Sequence, residues 1–317
     1  MSLRHWVIGA GGLLGSAVAR QLSVESEETF VGPVVRWGTD QAAADLETGL
    51  AEFLTPTMIA AEETTWAIYW CAGAATTSGS RDVFEREELV FTRFVQAMKA
   101  LPTKIQENGV FFFASSAGAV YAGGALPPFT ELSTVAPLGE YGESKLRHED
   151  ILAEISSSTR IRVAVGRISN LYGPGQSLLK QQGLVSRLCL ASLTGVPLSI
   201  FVSIDTMRDY LFVDDCARLV LLLADHVRSG TNRSSMKILA SGRSVTIGAL
   251  IGILAQVVGR KPLVLWGQSG EARLQSTDLR LRSIVAPEVS LGDPTNLTDG
   301  AARTFEDLRR KYAGAGL

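Results

Sequence analysis

Continuously apolar runs alternate with stretches of helical period through the first two-thirds of this chain. The runs are "HWVIGA", "PVVRW", "WAIYWCA", "GVFFFASS" and "IRVAVGRIS", each the length of a strand buried on both faces. Between them, Phe84, Phe91, Phe94, Val95 and Met98 repeat at helical spacing and share one face, and residues 141–155 form a second helical stretch. The pattern predicts a parallel sheet with helices on both sides. After Tyr172 the order loosens at "GPGQ". A helix then resumes in "TIGALIGILAQVVG", with Ile247, Leu250, Ile251, Leu254 and Val258 on one face and Gly259 as its stop. The remainder reads as short elements and loops, closed by a helix from Thr304 to Tyr312.

Composition narrows the class. The 317 residues have room for one large α/β domain or two unequal lobes. Hydrophobic residues make up 46% and charged residues 20%, which predicts a packed core rather than disorder. With 30 basic and 32 acidic residues the net charge is −2, so there is no electrostatic case for nucleic acid or an anionic membrane. Cys71, Cys189 and Cys216 lack metal-ligand spacing and point to a reducing compartment. No signal-peptide pattern precedes "RHWVIGAGG", and "LVLLLA" at 219–224 is too short to span a bilayer. The expectation is a soluble cytoplasmic protein.

The first strand runs directly into "GAGGLLGSAVARQL". Gly9, Gly12 and Gly15 are spaced G-x-x-G-x-x-G, with Leu13 and Leu14 opening the helix. Glycines there permit a tight turn and close approach of the backbone to a pyrophosphate, which rests on the unpaired N–H groups of the helix N-terminus. The second run ends in Arg36 with no acid next to it. An arginine at that place accommodates a 2′-phosphate, which favours NADP(H) over NAD; the alternatives are that Arg36 stacks on adenine or faces solvent.

In "EYGESKLRHE", Tyr141 and Lys145 are four residues apart and so lie on one helix face. A phenol that titrates near ~10 is a poor base at neutral pH. An ammonium about 4 Å away, at an effective dielectric of about 20, stabilises a phenolate by roughly 4 kcal/mol. That is enough to make such a pair a proton-transfer device.

Taken together these motifs resemble, in order and over nearly the whole chain, the extended short-chain dehydrogenase/reductase family of nucleotide-sugar epimerases and dehydratases. The resemblance rests on the glycine loop, "ADLETG", "CAGAA", "SSAGAVYAG", "YGESK", "GRISNLYGPGQ" and "RDYLFVDDCA". It implies that Gly9, Gly12, Leu13, Leu14 and Gly15 bind the cofactor, that Asp45 and Leu46 border the adenine, and that Ala72 and Gly73 belong to the fourth-strand motif. Tyr141 would be the general acid/base, and Lys145 would hold the nicotinamide ribose and favour the phenolate. Ser116, chosen over Ser115 for its spacing of 25 residues from Tyr141, would orient the reacting oxygen. Asn170 and Arg208 would face the diphosphate of the substrate, for which an Arg fork is suited. Three positions depart from the family pattern. Trp70 stands where a His is frequent, and Glu88 where an Asn is usual. Ala117 and Gly118 stand where dehydratases carry an acidic pair, which disfavours dehydration.

The expected architecture is a Rossmann-type doubly wound sheet, residues 1–173 and 207–241, with a small discontinuous C-terminal substrate-binding lobe, residues 174–206 and 242–317. The expected function is NAD(P)-dependent epimerisation of a nucleotide sugar at C4 through a transient ketone. A one-way NADPH-dependent 4-keto-sugar reductase is the alternative, and a non-catalytic NAD(P)-binding regulatory protein is the alternative of another class. The helices at 84–101 and 141–157 resemble the family's dimer-forming pair, so a homodimer is expected. His5, His148 and His226 form no ligand set and no metal is expected. "DD" at 214–215 reads as helix capping and "REE" at 86–88 as a solvated helix face.

Overall fold

A computed structural model describes residues 3–25, 28–55, 65–73, 79–177, 183–267 and 276–314. The nucleotide-fold half opens with β1 (Leu3–Ile8), α1 (Leu13–Val24), β2 (Glu28–Phe30), α2 (Ala42–Phe53), β3 (Thr65–Trp70) and α3 (Arg81–Lys99). There follow α4 (Thr103–Glu107), β4 (Gly109–Ser116), α5 (Ala117–Val120), α6 (Glu140–Ser158), β5 (Arg162–Ile168) and β6 (Asn170–Tyr172). The later half contains α7 (Leu184–Thr194), β7 (Leu198–Ile200), β8 (Met207–Phe212), α8 (Val213–Ser229), β9 (Ser234–Leu239) and β10 (Ser244–Thr246). It ends with α9 (Ile247–Val258), β11 (Val264–Trp266), β12 (Asp278–Leu279) and α10 (Leu297–Gly314). Among these, no helix is long and apolar enough to cross a membrane.

Six strands form an all-parallel sheet in the order β2-β1-β3-β4-β5-β9. The continuous hydrophobicity of its strands is explained by two cores. In β4, Phe111 and Phe113 enter a core shared with α2, α3 and α6, while Phe112 enters the opposite one with α1 and α8. Each such ring, removed from water, contributes about 1.5–3 kcal/mol. The apolar face read on α3 is buried at all five positions, Phe84, Phe91, Phe94, Val95 and Met98.

Four expectations need correction. "PVVRW" is not a strand: β2 ends at Phe30, and Val31 and Val34 are exposed. Pro33 has no N–H for a ladder, so pairing on this edge strand stops before it. "RDYLF" does not rejoin the large sheet. As β8 it pairs with β6, β10 and β12 in a second sheet, and the chain returns to the nucleotide fold only with α8 and β9. Asp214 and Asp215 do not cap α8. Asp214 pairs with Arg20 and Arg303, and Asp215 accepts from the Thr295 backbone N–H and hydroxyl and from Arg218. The last helix starts earlier than read, at Leu297, where the Asn296 side chain accepts from the Asp299 N–H.

A third core, built from α7, α9, α10 and β8, supports the smaller lobe. Gly259 ends α9 in the left-handed conformation, φ +77°, which any side chain would strain. Glu131 stitches the late chain back onto the nucleotide fold, accepting from the Ile238 and Ile284 N–H groups and from the Ser283 hydroxyl.

Candidate active site

The glycine loop has the shape a pyrophosphate needs. Gly9 has φ +89°, and a Cβ there would come 2.7 Å from the backbone nitrogen of Ala72. A Cβ on Gly15 would meet the Gly9 carbonyl oxygen at 2.2 Å, so α1 could not pack this close to the loop. The Gly12 N–H closes the turn on the Gly9 carbonyl at 2.9 Å. The N–H groups of the first turn, Leu13 and Leu14 among them, have no intrahelical partner, and that turn carries no acidic side chain. A Cβ on Gly11 would meet open space. Of the "CAGAA" motif, Ala74 and Ala75 lie outside the described residues. These residues fit a dinucleotide.

The adenine-side residues divide. The Leu46 side chain is wholly buried in the core with Trp6, Phe53 and Trp70. Asp45 instead holds Arg36. Its carboxylate accepts from the Arg36 backbone N–H and Nε, each at 3.0 Å, and from Nη2. The acid that seemed absent next to Arg36 is therefore supplied by α2, nine residues along the chain.

At the carboxyl end of β4, which closes on Ser116, α6 brings Lys145 and Tyr141 close to the strand. Lys145 is buried, its Nζ donating to the Ala114 carbonyl at 3.2 Å and lying 4.9 Å from the Phe113 ring centre and 5.7 Å from that of Tyr141. Tyr141, half-buried one turn earlier, rests its ring on Phe84. Gly142 permits this approach, because a Cβ there would come 2.7 Å from the Ala119 carbonyl, just past Ser116. The pleat separates the serine doublet: Ser115 is buried and donates to Glu149 at 2.5 Å, whereas Ser116 is half-buried and faces the other side of the strand.

Sequence reasoning missed what fixes this arrangement. Glu149 lies four residues beyond Lys145, on the face that carries Tyr141. It accepts from Ser115 and, through both oxygens, from Arg167, which also donates to the Tyr121 hydroxyl at 2.6 Å. Arg167 is paired with Ser115 across β4 and β5, so one buried network locks α6 to both strands. Removing either partner of a buried ion pair typically costs about 3–5 kcal/mol. The i+8 spacing from Tyr141 was the available signal; its partner on β5 was not visible. "REE" at 86–88 is likewise more than a solvated face, since Glu88, together with Glu140, accepts from Arg147 of α6.

On the lobe side, Arg208 is 8% exposed, donates to the Met207 carbonyl at 2.8 Å, and makes no ion pair among the described residues. Neither aspartate that might have neutralised it does so: Asp209 is bonded to Ser241, and Asp214 to Arg20 and Arg303. Asn170 sits in β6 rather than in a turn, with its amide nitrogen committed to the Asp209 carbonyl at 2.8 Å. Its side-chain oxygen remains as an acceptor. His5 meets the Tyr69 hydroxyl, His226 meets Glu288, and His148 is buried against Phe91 and Phe113; no metal-binding cluster occurs among the described residues.

A family model described as the NAD dependent epimerase/dehydratase family matches residues 6–238. The chain belongs to that family. It is 26% identical over 209 residues to the dTDP-4-dehydro-6-deoxyglucose reductase of Escherichia coli, an alignment covering 65% of this chain and 64% of the reductase. The solved structure of MoeE5 with UDP-glucose and NAD superposes with a TM-score of 0.77 at 22% identity, covering 98% of this chain and all of that one. The UDP-glucose 4-epimerase of Thermotoga maritima, solved with UDP-glucose, gives a TM-score of 0.78 at 21% identity over 98% of this chain and 99% of that one. Those two likenesses carry the fold. The matched span includes the glycine loop, Ser116, Tyr141 and Lys145.

Proposed function

We propose that this protein is an NAD(P)-dependent nucleotide-sugar 4-epimerase. The reading is supported by Lys145, which lies against the end of β4 and beside the Tyr141 ring, and by a glycine loop whose close packing leaves no room for side chains at Gly9 and Gly15. A bound nicotinamide dinucleotide would supply hydride acceptance and return at C4. The Tyr141 oxygen takes the proton from the sugar 4-hydroxyl and gives it back after the transient 4-keto sugar has presented its other face. Lys145 keeps positive charge beside that oxygen throughout, and Ser116 donates to the 4-oxygen to orient it. Mass spectrometry of the small molecules released on denaturing the purified protein is expected to show NAD(H) or NADP(H). Equilibration of UDP-glucose with its 4-epimer, or of the dTDP counterparts, is then expected with catalytic dinucleotide. Absence of any dinucleotide binding would overturn the reading. The rival, a one-way 4-keto-sugar reductase, is favoured by the likeness to the Escherichia coli reductase and predicts instead stoichiometric consumption of NADPH.

Arg208 supports a diphosphate site, because a buried guanidinium that makes no ion pair among the described residues, with its neighbouring carboxylate Asp278 paired to Arg280, is stabilised by an anionic ligand. Arg208→Ala is expected to weaken binding of UDP or dTDP by about 10–100-fold, since each charge-assisted hydrogen bond is worth roughly 1.5–3 kcal/mol. Dinucleotide affinity should be unchanged. Calorimetry on both proteins checks this, and equal UDP affinity would remove Arg208 from the substrate site.

A further inference from the structure

Arg36 and Asp45 occupy the edge of the cleft where the adenosine end of a dinucleotide belongs. Trp37, next to Arg36, packs edge-on against Trp70 with ring centres 6.1 Å apart, which places this turn at the carboxyl end of β3. The turn is held from within, with the Thr39 hydroxyl donating to the Arg36 carbonyl at 2.7 Å. Asp45 is fixed in the first turn of α2, and its side chain is 10% exposed against 59% for that of Arg36. The carboxylate therefore lies beneath the guanidinium, with Arg36 between it and solvent.

That arrangement changes what Arg36 can recognise. Asp45 takes the Nε–Nη2 edge of the fork, one of the edges through which an arginine grips phosphate with two parallel bonds. Asp45 is held ionised, its carboxyl pushed down to about 2 by the hydrogen bonds from the Arg36 side chain and backbone. A 2′-phosphate would meet a neutral pair in place of a free cation, with a fixed negative charge one residue deeper.

We infer that Asp45 sets the cofactor choice of this cleft: by neutralising and orienting Arg36 it holds the protein to the dinucleotide without a 2′-phosphate. This rests on the proposed dinucleotide site and reverses the preference that Arg36 alone suggests. It also fits a recycled cofactor better than a consumed reductant.

Calorimetric titration of NADH and NADPH into three proteins tests it. The wild type is expected to bind NADH more tightly. Asp45→Asn keeps an acceptor for the Arg36 N–H groups but removes the charge, and should raise NADPH affinity by about 10-fold while moving NADH by less than about 3-fold. Arg36→Gln leaves the aspartate charge uncovered without touching the core, and should lower NADPH affinity by about 10-fold, again sparing NADH. Tighter binding of NADPH by the wild type overturns the inference, as does an unchanged NADPH-to-NADH ratio in the two variants; in both results the dinucleotide site itself stands. If neither dinucleotide binds the wild type, the site and the inference fall together.

Discussion

Tyr141→Phe should lower turnover by at least about 100-fold while changing dinucleotide and nucleotide-sugar affinity by less than about 3-fold. General acid–base catalysis by one positioned group is worth about 10²–10⁴ in rate. The substitution removes only the oxygen that carries the proton. The ring remains on Phe84, and Lys145 keeps its bond to the Ala114 carbonyl, so the binding surfaces stay where they are. Rate constants from single-turnover mixing, beside titrations of each ligand, separate the chemical step from binding. A phenylalanine variant within a few-fold of wild-type turnover would take Tyr141 out of the proton-transfer role. A variant that lost binding to the same degree as rate would instead make the tyrosine a structural residue.

Acidification should destabilise the fold through His148. This imidazole is enclosed between Phe91 and Phe113, with ring centres 4.4 and 5.6 Å away, and neither ring nitrogen has a hydrogen-bond partner among the described residues. Burial, with the neighbouring Lys145 and Arg147 charges, pushes its pKa down to about 3 from the usual 6.5. Between those values the unfolded chain binds a proton that the folded one refuses, so stability is complete above about pH 6.5 and falls as the pH drops toward 3. At about 1.4 kcal/mol per unit, the whole window amounts to about 5 kcal/mol, a large part of a typical domain's 5–15. Urea unfolding at successive pH values should therefore show a steep slope in wild type and a slope shallower by nearly one proton in His148→Leu. Parallel slopes would mean that His148 is protonated in the folded protein. The same enclosure explains why this histidine, one turn beyond Lys145, takes no part in the chemistry proposed for the site.

Much of the site was legible because it depends on spacing within single elements. Tyr141 and Lys145 share a helix face by period alone, the glycines of the loop are needed wherever a strand turns sharply into a helix, and α3 buries every position its pattern marked. Residues whose roles depend on a partner from another element were not legible. Leu46 and Asp45 are adjacent, yet one turns into the core and the other to Arg36, and only the seating of α2 against the sheet separates them. Ser115 and Ser116 carry the same hydroxyl; the pleat sends one to Glu149 and turns the other to the opposite face.

What the chain determined by itself is therefore the class of fold, the order of its elements and the chemistry of its motifs, since hydrophobic period and turn residues act over a few positions. What only the tertiary structure decided is where charge is spent. Arg36 is neutralised by a carboxylate from α2, Arg208 makes no ion pair among the described residues, and Glu149 and Arg167 bind α6 to β4 and β5. Coulomb and hydrogen-bond energies depend on distances of a few ångströms and on local burial. Residues separated by 9 or 18 positions along the chain reach those distances only after the sheet and its helices have packed.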